Sequence, residues 1–283
     1  MEHGIHVMSD KPITKTLEEA LELQKIAKER DILFGLTYTY TGYALIRQAR
    51  EMIKAGEIGD ILHVVTEYPQ DWLISSYVQE GSDQAAWRLD PDIIGESLCT
   101  GDIGTHLEQL IYQSTGLKPK RVLARFDRYP RDMALENNIN VLLDFGDQIT
   151  GNMWASQIAI GYECGVKIRI FGTKGAIEWC HDNMTKLKVT KNNEPVQYYS
   201  ANRDYICPES RRLSRIGAGH PEGFFEAFGN LYHSYCEHLL AKLEGREPES
   251  YTFPTIDDGI DGMKFVRACV ESDRNGNVWV DVD

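Results

Sequence analysis

Two short motifs in the chain carry side chains that can hold or move a proton. The first spans residues 4–12, Gly-Ile-His-Val-Met-Ser-Asp-Lys-Pro, in which a lysine and a proline follow a short apolar run. If that run forms a parallel strand, Lys11 lies outside the strand's carboxyl end, where α/β sheets bind ligands, and Pro12 stiffens the turn. A Lys-Pro pair after a strand most often lies in a solvated loop, so this motif alone favours that interpretation over a functional one.

The second motif is Gly-Asp-Ile-Gly-Thr-His at residues 101–106. On a helix, Asp102 and His106 are four residues apart and share one face. A carboxylate beside an imidazole can tune a general base near neutral pH. Two other interpretations fit the same spacing: Asp102 caps the helix while His106 packs in the core, or both side chains bind a metal ion. A metal site needs a third ligand, and no His-x-x-x-His pair or cysteine cluster supplies one, so we expect no metal.

The elements that must position the first motif are two strand–helix units. The predicted strands cover residues 5–8 and 32–38, and the predicted helices cover residues 17–30 and 44–55. Thr16 and Glu19 form a predicted capping box for the first helix. Because a parallel sheet of two strands needs further neighbours, residues 1–58 are predicted to be the C-terminal part of a dinucleotide-binding (Rossmann) domain.

From residue 59 onward, strands follow one another with few helices between them. A long loop at 69–100 leads into a helix that starts near Asp102. The predicted strands are 61–68, 121–129, 139–145, 148–156, 166–171, 176–180 and 278–282, and the later helices are 224–243 and 256–272. The predicted fold is therefore α/β plus α+β: a C-terminal remnant of a doubly wound parallel sheet, then at 59–283 a mostly antiparallel, open-faced sheet with helices on one face.

Composition excludes several classes of partner. The 283 residues carry a formal net charge of -13, and no basic patch offsets the repulsion from a nucleic acid or an anionic membrane. No apolar run reaches the ~20 residues of a membrane span, and the N-terminus does not resemble a signal peptide. The six cysteines are scattered without a Cys-x-x-Cys pair, which is typical of reduced thiols. We expect a cytoplasmic protein that binds neither nucleic acid nor membrane.

Taken in order, three motifs point to a family. The residues 4–12 motif, a Gly-Glu-Ile-Gly-Asp-Ile step at 56–61 and the 101–106 motif resemble the glucose–fructose oxidoreductase / inositol dehydrogenase / rhizopine-catabolism family along essentially the whole chain. Four further segments resemble its levoglucosan dehydrogenase and glycoside 3-dehydrogenase branch. These are Thr-Tyr-Thr-Gly-Tyr at 39–43, Trp-Arg-Leu-Asp-Pro at 87–91, Gly-His-Pro-Glu-Gly at 219–223 and Asp-Gly-Ile-Asp-Gly-Met at 258–263.

The resemblance implies an NAD- or NADP-dependent oxidation of a hydroxyl on a sugar, glycoside or cyclic polyol. Lys11 would hydrogen-bond the reacting hydroxyl, His106 would be the general base or proton relay, and Asp102 would orient the lysine and the substrate. The cofactor contacts would come from Asp10, Lys11, Pro12 and Tyr40. Asp10 stands where the family usually has glutamate, and its shorter side chain puts its cofactor contact in doubt.

Substrate contacts are expected from the loop before the second motif as well as from Asp102 and His106. Trp72 and Trp87 can cover the apolar face of a sugar ring, Arg88 can donate to several hydroxyls, and Gln70 is a further polar candidate. Core or interface packing is an equal alternative for the two tryptophans. His220 and Glu222 lie near the site or, as the favoured interpretation, cap the helix that follows.

The largest departure from the family is at the N-terminus. Members begin with a strand, a Gly-x-Gly-x-x-Gly turn and a helix that bind the pyrophosphate, and no such turn occurs in this sequence. We therefore expect a truncated enzyme that lacks roughly 80–100 residues, about three βα units, and binds a dinucleotide poorly. The alternatives are a non-catalytic sugar-binding or interaction remnant, and a metal-dependent lyase or isomerase that uses Asp102, His106 and His220. An open apolar sheet face usually pairs with a copy of itself, so a homo-oligomer is predicted, a dimer or a tetramer as in the family.

Overall fold

The computed structural model describes residues 1–74, 87–248 and 253–283. Its first elements form a parallel two-stranded sheet of β1 (Val7–Ser9) and β2 (Phe34–Leu36). Helix α1 (Leu17–Glu29) connects them, and the Thr16–Glu19 capping box closes its first turn. The predicted strand–helix–strand unit is confirmed, with both strands shorter than expected.

The chain leaves β2 through a 3-10 turn (Thr39–Gly42) and enters α2 (Ala44–Lys54). Gly42 lets the long helix Phe224–Glu244 pack directly on this turn, because a Cβ at residue 42 would lie 2.2 Å from the carbonyl oxygen of Ala227. This close approach holds the turn that carries Tyr40.

Within the described residues, the larger sheet has nine strands in the order β10-β9-β8-β7-β3-β6-β5-β4-β11. β3 and β6 run parallel, and the other neighbouring strands pair antiparallel. The strands are β3 (Ile61–Pro69), β4 (Arg121–Asp127), β5 (Asn138–Gly146), β6 (Ile149–Ser156), β7 (Lys167–Gly172), β8 (Gly175–Cys180), β9 (Lys186–Lys191), β10 (Gln197–Ser200) and β11 (Val280–Asp281).

Helices cover one face of this sheet and leave the other open. The described helices after α2 are α3 (Pro91–Ile94), α4 (Thr105–Thr115), α5 (Pro208–Arg211), α6 (Phe224–Glu244) and α7 (Ile256–Arg274). Helices α2, α4 and α7 pack on the strands over one continuous apolar core. Alternation along β5 shows the two faces: Val141 and Leu143 are buried, whereas Leu142 between them is 45% exposed. The predicted fold class is confirmed, and none of the described helices is long and apolar enough to cross a bilayer.

Two strands were not among the predictions. β9 and β10 extend the sheet beyond β8, where the sequence interpretation assigned no element. In β9, the buried Leu187 and Val189 alternate with lysines, which is a short and weak period-two signal. All four residues of β10 are at least partly exposed, because β10 is the edge of the sheet, so its apolar signal is absent.

The fold brings several strand ends to one place. Ser156 at the end of β6 pairs with Pro69 at the end of β3, and the Gln70 amide donates to the Ser156 carbonyl at 2.7 Å. The residues that follow β1, β2, β3 and β6 therefore come close to the turn that precedes α4. A site next to this turn would combine side chains from several elements that are distant in the sequence.

Candidate active site

Lys11 and Asp102 form an ion pair across the two sheets. The Lys11 ammonium lies 3.0 Å from Asp102 Oδ1 and also donates to the Asp102 backbone carbonyl. Only 12% of the lysine side chain is exposed, so the contact limits the directions in which the ammonium points. The solvated-loop interpretation of the Lys-Pro motif is therefore wrong.

Gln157 completes the environment of Asp102 and was not foreseen. Its side-chain amide donates to Asp102 Oδ2 at 3.0 Å, so each carboxylate oxygen has a different partner. Gln157 directly follows β6, and a polar residue at the end of a predicted strand was the available signal. The hydrogen bond itself joins residues 55 positions apart, which periodicity alone does not reveal.

The structural interpretation of the second motif is wrong for Asp102, which does not cap the helix, and right for His106, which packs in the core. Residues Thr100–Gly104 form a π-helical turn that continues into α4, so Asp102 lies inside a helical segment and its amide donates to Leu98 O at 2.8 Å. No group of three or more His, Cys, Asp or Glu side chains is arranged to hold a metal ion in the described parts of the chain.

A buried carboxylate fixes the segment that leads into this turn. Glu136 is fully buried and accepts hydrogen bonds from the Ser97 hydroxyl and from the amide and hydroxyl of Thr100, at 2.5, 3.0 and 3.0 Å. It also accepts from the Leu98 amide at 3.3 Å. Burial raises the pKa of Glu136, although these hydrogen bonds oppose the shift. Glu136 satisfies donors that an ordinary N-cap residue would satisfy, and so sets the position of Asp102.

His106 lies one helical turn after Asp102 and is buried. It is 8% exposed, and its ring contacts Tyr38, Tyr40 and Tyr68 at centroid distances of 5.7, 4.9 and 6.2 Å. Its Nδ1 has no hydrogen-bond partner. Burial, together with the positive charge of Lys11, holds the pKa of His106 well below its ordinary value. The imidazole is therefore neutral near pH 7, and burial and the charge of Lys11 both oppose its protonation.

The expected tuning of His106 by Asp102 is not seen. Both Asp102 oxygens are engaged by Lys11 and Gln157, and the electrostatic influence on His106 comes from Lys11. Asp102 therefore contacts Lys11, and the positive charge of Lys11 lowers the pKa of His106.

Tyr40 belongs to a hydroxyl network beside His106. Its OH lies 2.5 Å from the Tyr68 OH and 3.2 Å from Cys164 Sγ. Gln70 donates to the Tyr68 OH at 3.1 Å. Tyr40 is therefore placed with the aromatic residues around His106, and its predicted contact with a cofactor stays a prediction. Tyr68 and Cys164 were not singled out from the sequence.

Six of the predicted cofactor and substrate residues meet at an open cleft, whereas Tyr40, Gln70, Trp72 and His106 are not among the residues that line it. A cavity of about 420 Å³ is lined by Asp10, Lys11, Pro12, Trp87, Arg88 and Asp102, among others. The Asp10 carboxylate accepts from the Thr37 hydroxyl at 2.7 Å and from the Lys11 amide at 2.8 Å, which ties the end of β1 to the end of β2. The Arg88 guanidinium carbon lies 4.3 Å from the centroid of the Trp87 ring.

Three other predicted residues lie elsewhere. Trp72 packs against the buried cluster of Leu73, Leu98 and Leu135, as its packing alternative anticipated. The capping role favoured for His220 and Glu222 is wrong: Gly223 is the N-cap of α6, and its amide donates to Glu226. Glu222 instead accepts from the Arg215 amide at 2.8 Å, and His220 pairs with the Gly217 carbonyl at 3.0 Å.

Taken together, the geometry is suited to removing a proton from a polar group on a small ligand. An ammonium with a fixed direction faces the cleft, and a neutral imidazole stands close enough to feel its charge. The two groups provide a hydrogen-bond donor and a proton acceptor, as general acid–base catalysis requires.

The chain is similar in sequence to known oxidoreductases. Residues 46–178 match the family model of the GFO/IDH/MocA C-terminal domain. The chain is 34% identical over 99% of its length to the uncharacterized oxidoreductase YfiI of Bacillus subtilis (strain 168), and spans 72% of that protein. It is 23% identical to a levoglucosan dehydrogenase of Pseudarthrobacter phenanthrenivorans over 66% of this chain and 52% of that protein.

The solved structures extend the likeness to three dimensions. An inositol dehydrogenase homologue from Azotobacter vinelandii, in complex with NAD+, superimposes with a TM-score of 0.94 at 34% identity, covering 99% of this chain and 73% of that one. An oxidoreductase from Sinorhizobium meliloti is 40% identical with a TM-score of 0.86, covering 98% and 73% of the two chains. The chain therefore belongs to the glucose–fructose oxidoreductase / inositol dehydrogenase / rhizopine-catabolism family of oxidoreductases.

Proposed function

We propose that this protein takes part in the NAD-dependent oxidation of a hydroxyl group on a sugar, glycoside or cyclic polyol, with Lys11, Asp102 and His106 handling the proton. The observation that carries the proposal is the position of the Lys11 ammonium. It is held by Asp102 at the edge of the cleft, near an imidazole that burial and the charge of Lys11 keep neutral.

Four residues have separate roles in the proposed reaction. Lys11 donates a hydrogen bond to the oxygen of the reacting hydroxyl and stabilises negative charge that develops there. His106 accepts the hydroxyl proton, which becomes favourable because the alcohol oxygen turns into a carbonyl oxygen as its carbon is oxidised. Asp102 keeps Lys11 aimed at the cleft, and Gln157 keeps Asp102 in place.

The cofactor would contact the end of β1. NAD, when bound, supplies the hydride acceptor. Asp10, Lys11 and Pro12 line the cleft beside Asp102, and their hydrogen-bonding groups suit the nicotinamide end. NAD is favoured over NADP because two structures of the Azotobacter vinelandii homologue hold NAD+ and NADH. In support of the domain division at residue 58, β1, α1 and β2 form a parallel strand–helix–strand unit, as dinucleotide-binding domains do.

A cyclic polyol is the favoured substrate class. Trp87 offers an apolar ring face and Arg88 offers several donors at the mouth of the cleft. The Azotobacter vinelandii homologue was solved with NADH and myo-inositol, at 33% identity and a TM-score of 0.91. The open face of the nine-stranded sheet would pair two copies of the chain, so light scattering is expected to give a dimer or a tetramer.

The experiment separates substrate binding from turnover. Saturation-transfer NMR with myo-inositol and with levoglucosan needs no cofactor, and Trp87→Ala is expected to weaken the signal of whichever ligand binds. Absorbance at 340 nm then follows NADH formation from the same ligand at saturating NAD+. Turnover that Lys11→Met abolishes supports the proposal, whereas turnover that Lys11→Met leaves unchanged contradicts it.

A second candidate function is a non-catalytic sugar-binding protein. It is favoured by the lining of the cleft, because Trp87 and Arg88 can hold a sugar ring without any hydride transfer. Polyol binding in the NMR experiment without NADH formation, and without detectable NAD+ binding by calorimetry, would select this second function.

A further inference from the structure

A cysteine and a histidine meet on the side of Tyr40 that faces away from the ion pair of Lys11. Cys164 Sγ lies 3.2 Å from the Tyr40 OH and 3.8 Å from the Tyr68 OH. The His181 ring stands 5.6 Å from the Tyr40 ring, and its Nε2 lies 3.0 Å from the Tyr43 OH. None of these polar contacts is used in the proton handling proposed for Lys11 and His106.

The surroundings favour a proton shift from sulfur to nitrogen. Burial opposes ionisation of Cys164, but hydrogen bonds from His181, Tyr40 and Tyr68 outweigh it and lower the pKa of the thiol. The same contact with Cys164, assisted by the charge of Asp182, raises the pKa of His181. Tyr40 and Tyr68 remain protonated because burial raises their pKa values. One of the two hydroxyls donates to the other, so the second hydroxyl keeps its hydrogen for the sulfur.

The sulfur is also within reach of solvent. Cys164 is half-buried and directly follows residues 161–163, all of which are exposed. Cys99 and Cys269 provide the contrast, because both are fully buried and burial raises their pKa values well above the ordinary one. Partial exposure next to a basic group is the environment in which protein thiols react.

We propose that Cys164 is a peroxide-reactive thiol, activated by His181 and by the hydroxyls of Tyr40 and Tyr68, and that its oxidation disturbs the candidate active site. The Cys164 sulfur attacks one oxygen of hydrogen peroxide, so that a sulfur–oxygen bond forms and the oxygen–oxygen bond breaks. The thiolate is oxidised to a sulfenic acid, and the departing hydroxide takes a proton to become water.

Tyr40 couples this chemistry to the site. Its hydroxyl contacts Cys164, and its ring packs on His106 at a centroid distance of 4.9 Å. A new oxygen on the sulfur competes for the Tyr40 and Tyr68 hydroxyls, so Tyr40 must move relative to His106. Oxidation of Cys164 therefore changes the surroundings of the His106 imidazole through Tyr40, without direct contact between Cys164 and His106.

Mass spectrometry of the whole chain tests the reactivity. After treatment with hydrogen peroxide and the sulfenic-acid trap dimedone, we expect an adduct on Cys164 and none on Cys99 or Cys269. With iodoacetamide near neutral pH, His181→Gln is expected to slow alkylation of Cys164 about fivefold to tenfold, because the thiolate fraction falls. The exposed Cys236 is the internal control, and its rate stays the same if the variant is folded.

The coupling is tested by NMR. Alkylation of wild-type protein is expected to shift the His106 imidazole resonances, whereas alkylation of Cys164→Ser, which labels Cys236 but not residue 164, leaves them unchanged. The proposal is overturned if Cys164 reacts no faster than Cys99 or if His181→Gln leaves the alkylation rate of Cys164 unaltered. It is also overturned if alkylation of the wild-type protein does not shift the His106 resonances.

Discussion

The two sides of the candidate active site handle charge in opposite ways. On the Lys11 side, an ammonium and a carboxylate stand in contact at the edge of an open cleft, and Gln157 satisfies the remaining carboxylate oxygen. On the His106 side, the imidazole is buried among tyrosine rings, and its Nδ1 has no partner. Lys11 and Asp102 offset each other's charge as an ion pair, whereas burial favours the uncharged form of the His106 imidazole.

This difference explains how one small site can hold both a donor and an acceptor of protons. Lys11 forms an ion pair with Asp102, and the positive charge of Lys11 adds to burial in disfavouring a positive charge on His106. A site with two paired groups, or with two buried ones, would lack either the neutral base or the fixed donor. The predictions that follow alter one side at a time.

The largest effect is expected from Lys11→Met, which removes the donor. Turnover of the active polyol should fall about 10²- to 10⁴-fold, the range typical of a lost acid–base group. Thermal unfolding should also show a loss of stability, because Lys11 is largely buried and its removal leaves the Asp102 carboxylate without its cation. The matched control is Lys118→Met, which removes a lysine paired with Asp261 away from the cleft. Equal losses of turnover in the two variants would contradict a special role for Lys11.

The next effect concerns the support beneath Asp102. Glu136→Ala leaves the Ser97 hydroxyl, the Leu98 amide and both Thr100 donors without their acceptor. Each buried donor left unpaired costs about 1–3 kcal/mol, so urea unfolding should show a loss of at least ~3 kcal/mol. Glu178→Ala, which breaks only surface contacts with Lys167 and Lys188, should cost about 0–1 kcal/mol. A similar small loss for both variants would show that Glu136 does not hold the turn.

The free energy of unfolding is expected to depend on pH through Glu108, a buried residue of α4. Burial, followed by the charge of Asp261, raises the pKa of Glu108 from 4.5 to about 8. Because the folded pKa lies above the unfolded one, this group's contribution to stability is complete below pH 4.5 and is lost as the pH rises through 8. Unfolding free energy should therefore fall less between about pH 5 and about pH 9 in Glu108→Gln than in wild type, by a few kcal/mol at about 1.4 kcal/mol per pKa unit. Glu22→Gln, on the exposed face of α1, should leave the pH dependence unchanged.

A smaller effect should follow from Gln157→Ala. Asp102 would keep Lys11 but lose the donor to Oδ2, so its carboxylate gains freedom to rotate. Turnover should fall about tenfold, equivalent to about 1.4 kcal/mol in the barrier. Gln197→Ala on the exposed edge strand is the control. An unchanged turnover would mean that Lys11 alone orients Asp102.

Local patterns were enough to predict the frame and three residues of the site. The apolar period of α1 and the capping box at Thr16 both appear as expected. Lys11, Asp102 and His106 were recognised because each lies in a short motif. The missed residues act through contacts between distant segments: Glu136 reaches residues 36 to 39 positions away, and Gln157 reaches 55.

Environment was harder to foresee than position. The spacing of Asp102 and His106 suggested that the carboxylate tunes the imidazole, yet the π-helical turn directs Asp102 to Lys11 and Gln157. Burial is the first cause of the depressed pKa of His106, and the rings of Tyr38 and Tyr40 after β2 and of Tyr68 in β3 contribute to that burial. No local pattern encodes burial of that kind, because it arises only when separate elements pack together.

The most direct test of the account is an NMR titration of His106, assigned by the loss of its resonances in His106→Gln. We predict that the imidazole titrates well below its ordinary value of 6.5 in the wild-type protein and that Lys11→Met moves its pKa upward, because one of the two causes of the shift is removed. A His106 that titrates at or above 6.5, or that is indifferent to Lys11→Met, would contradict the proposed division of charge.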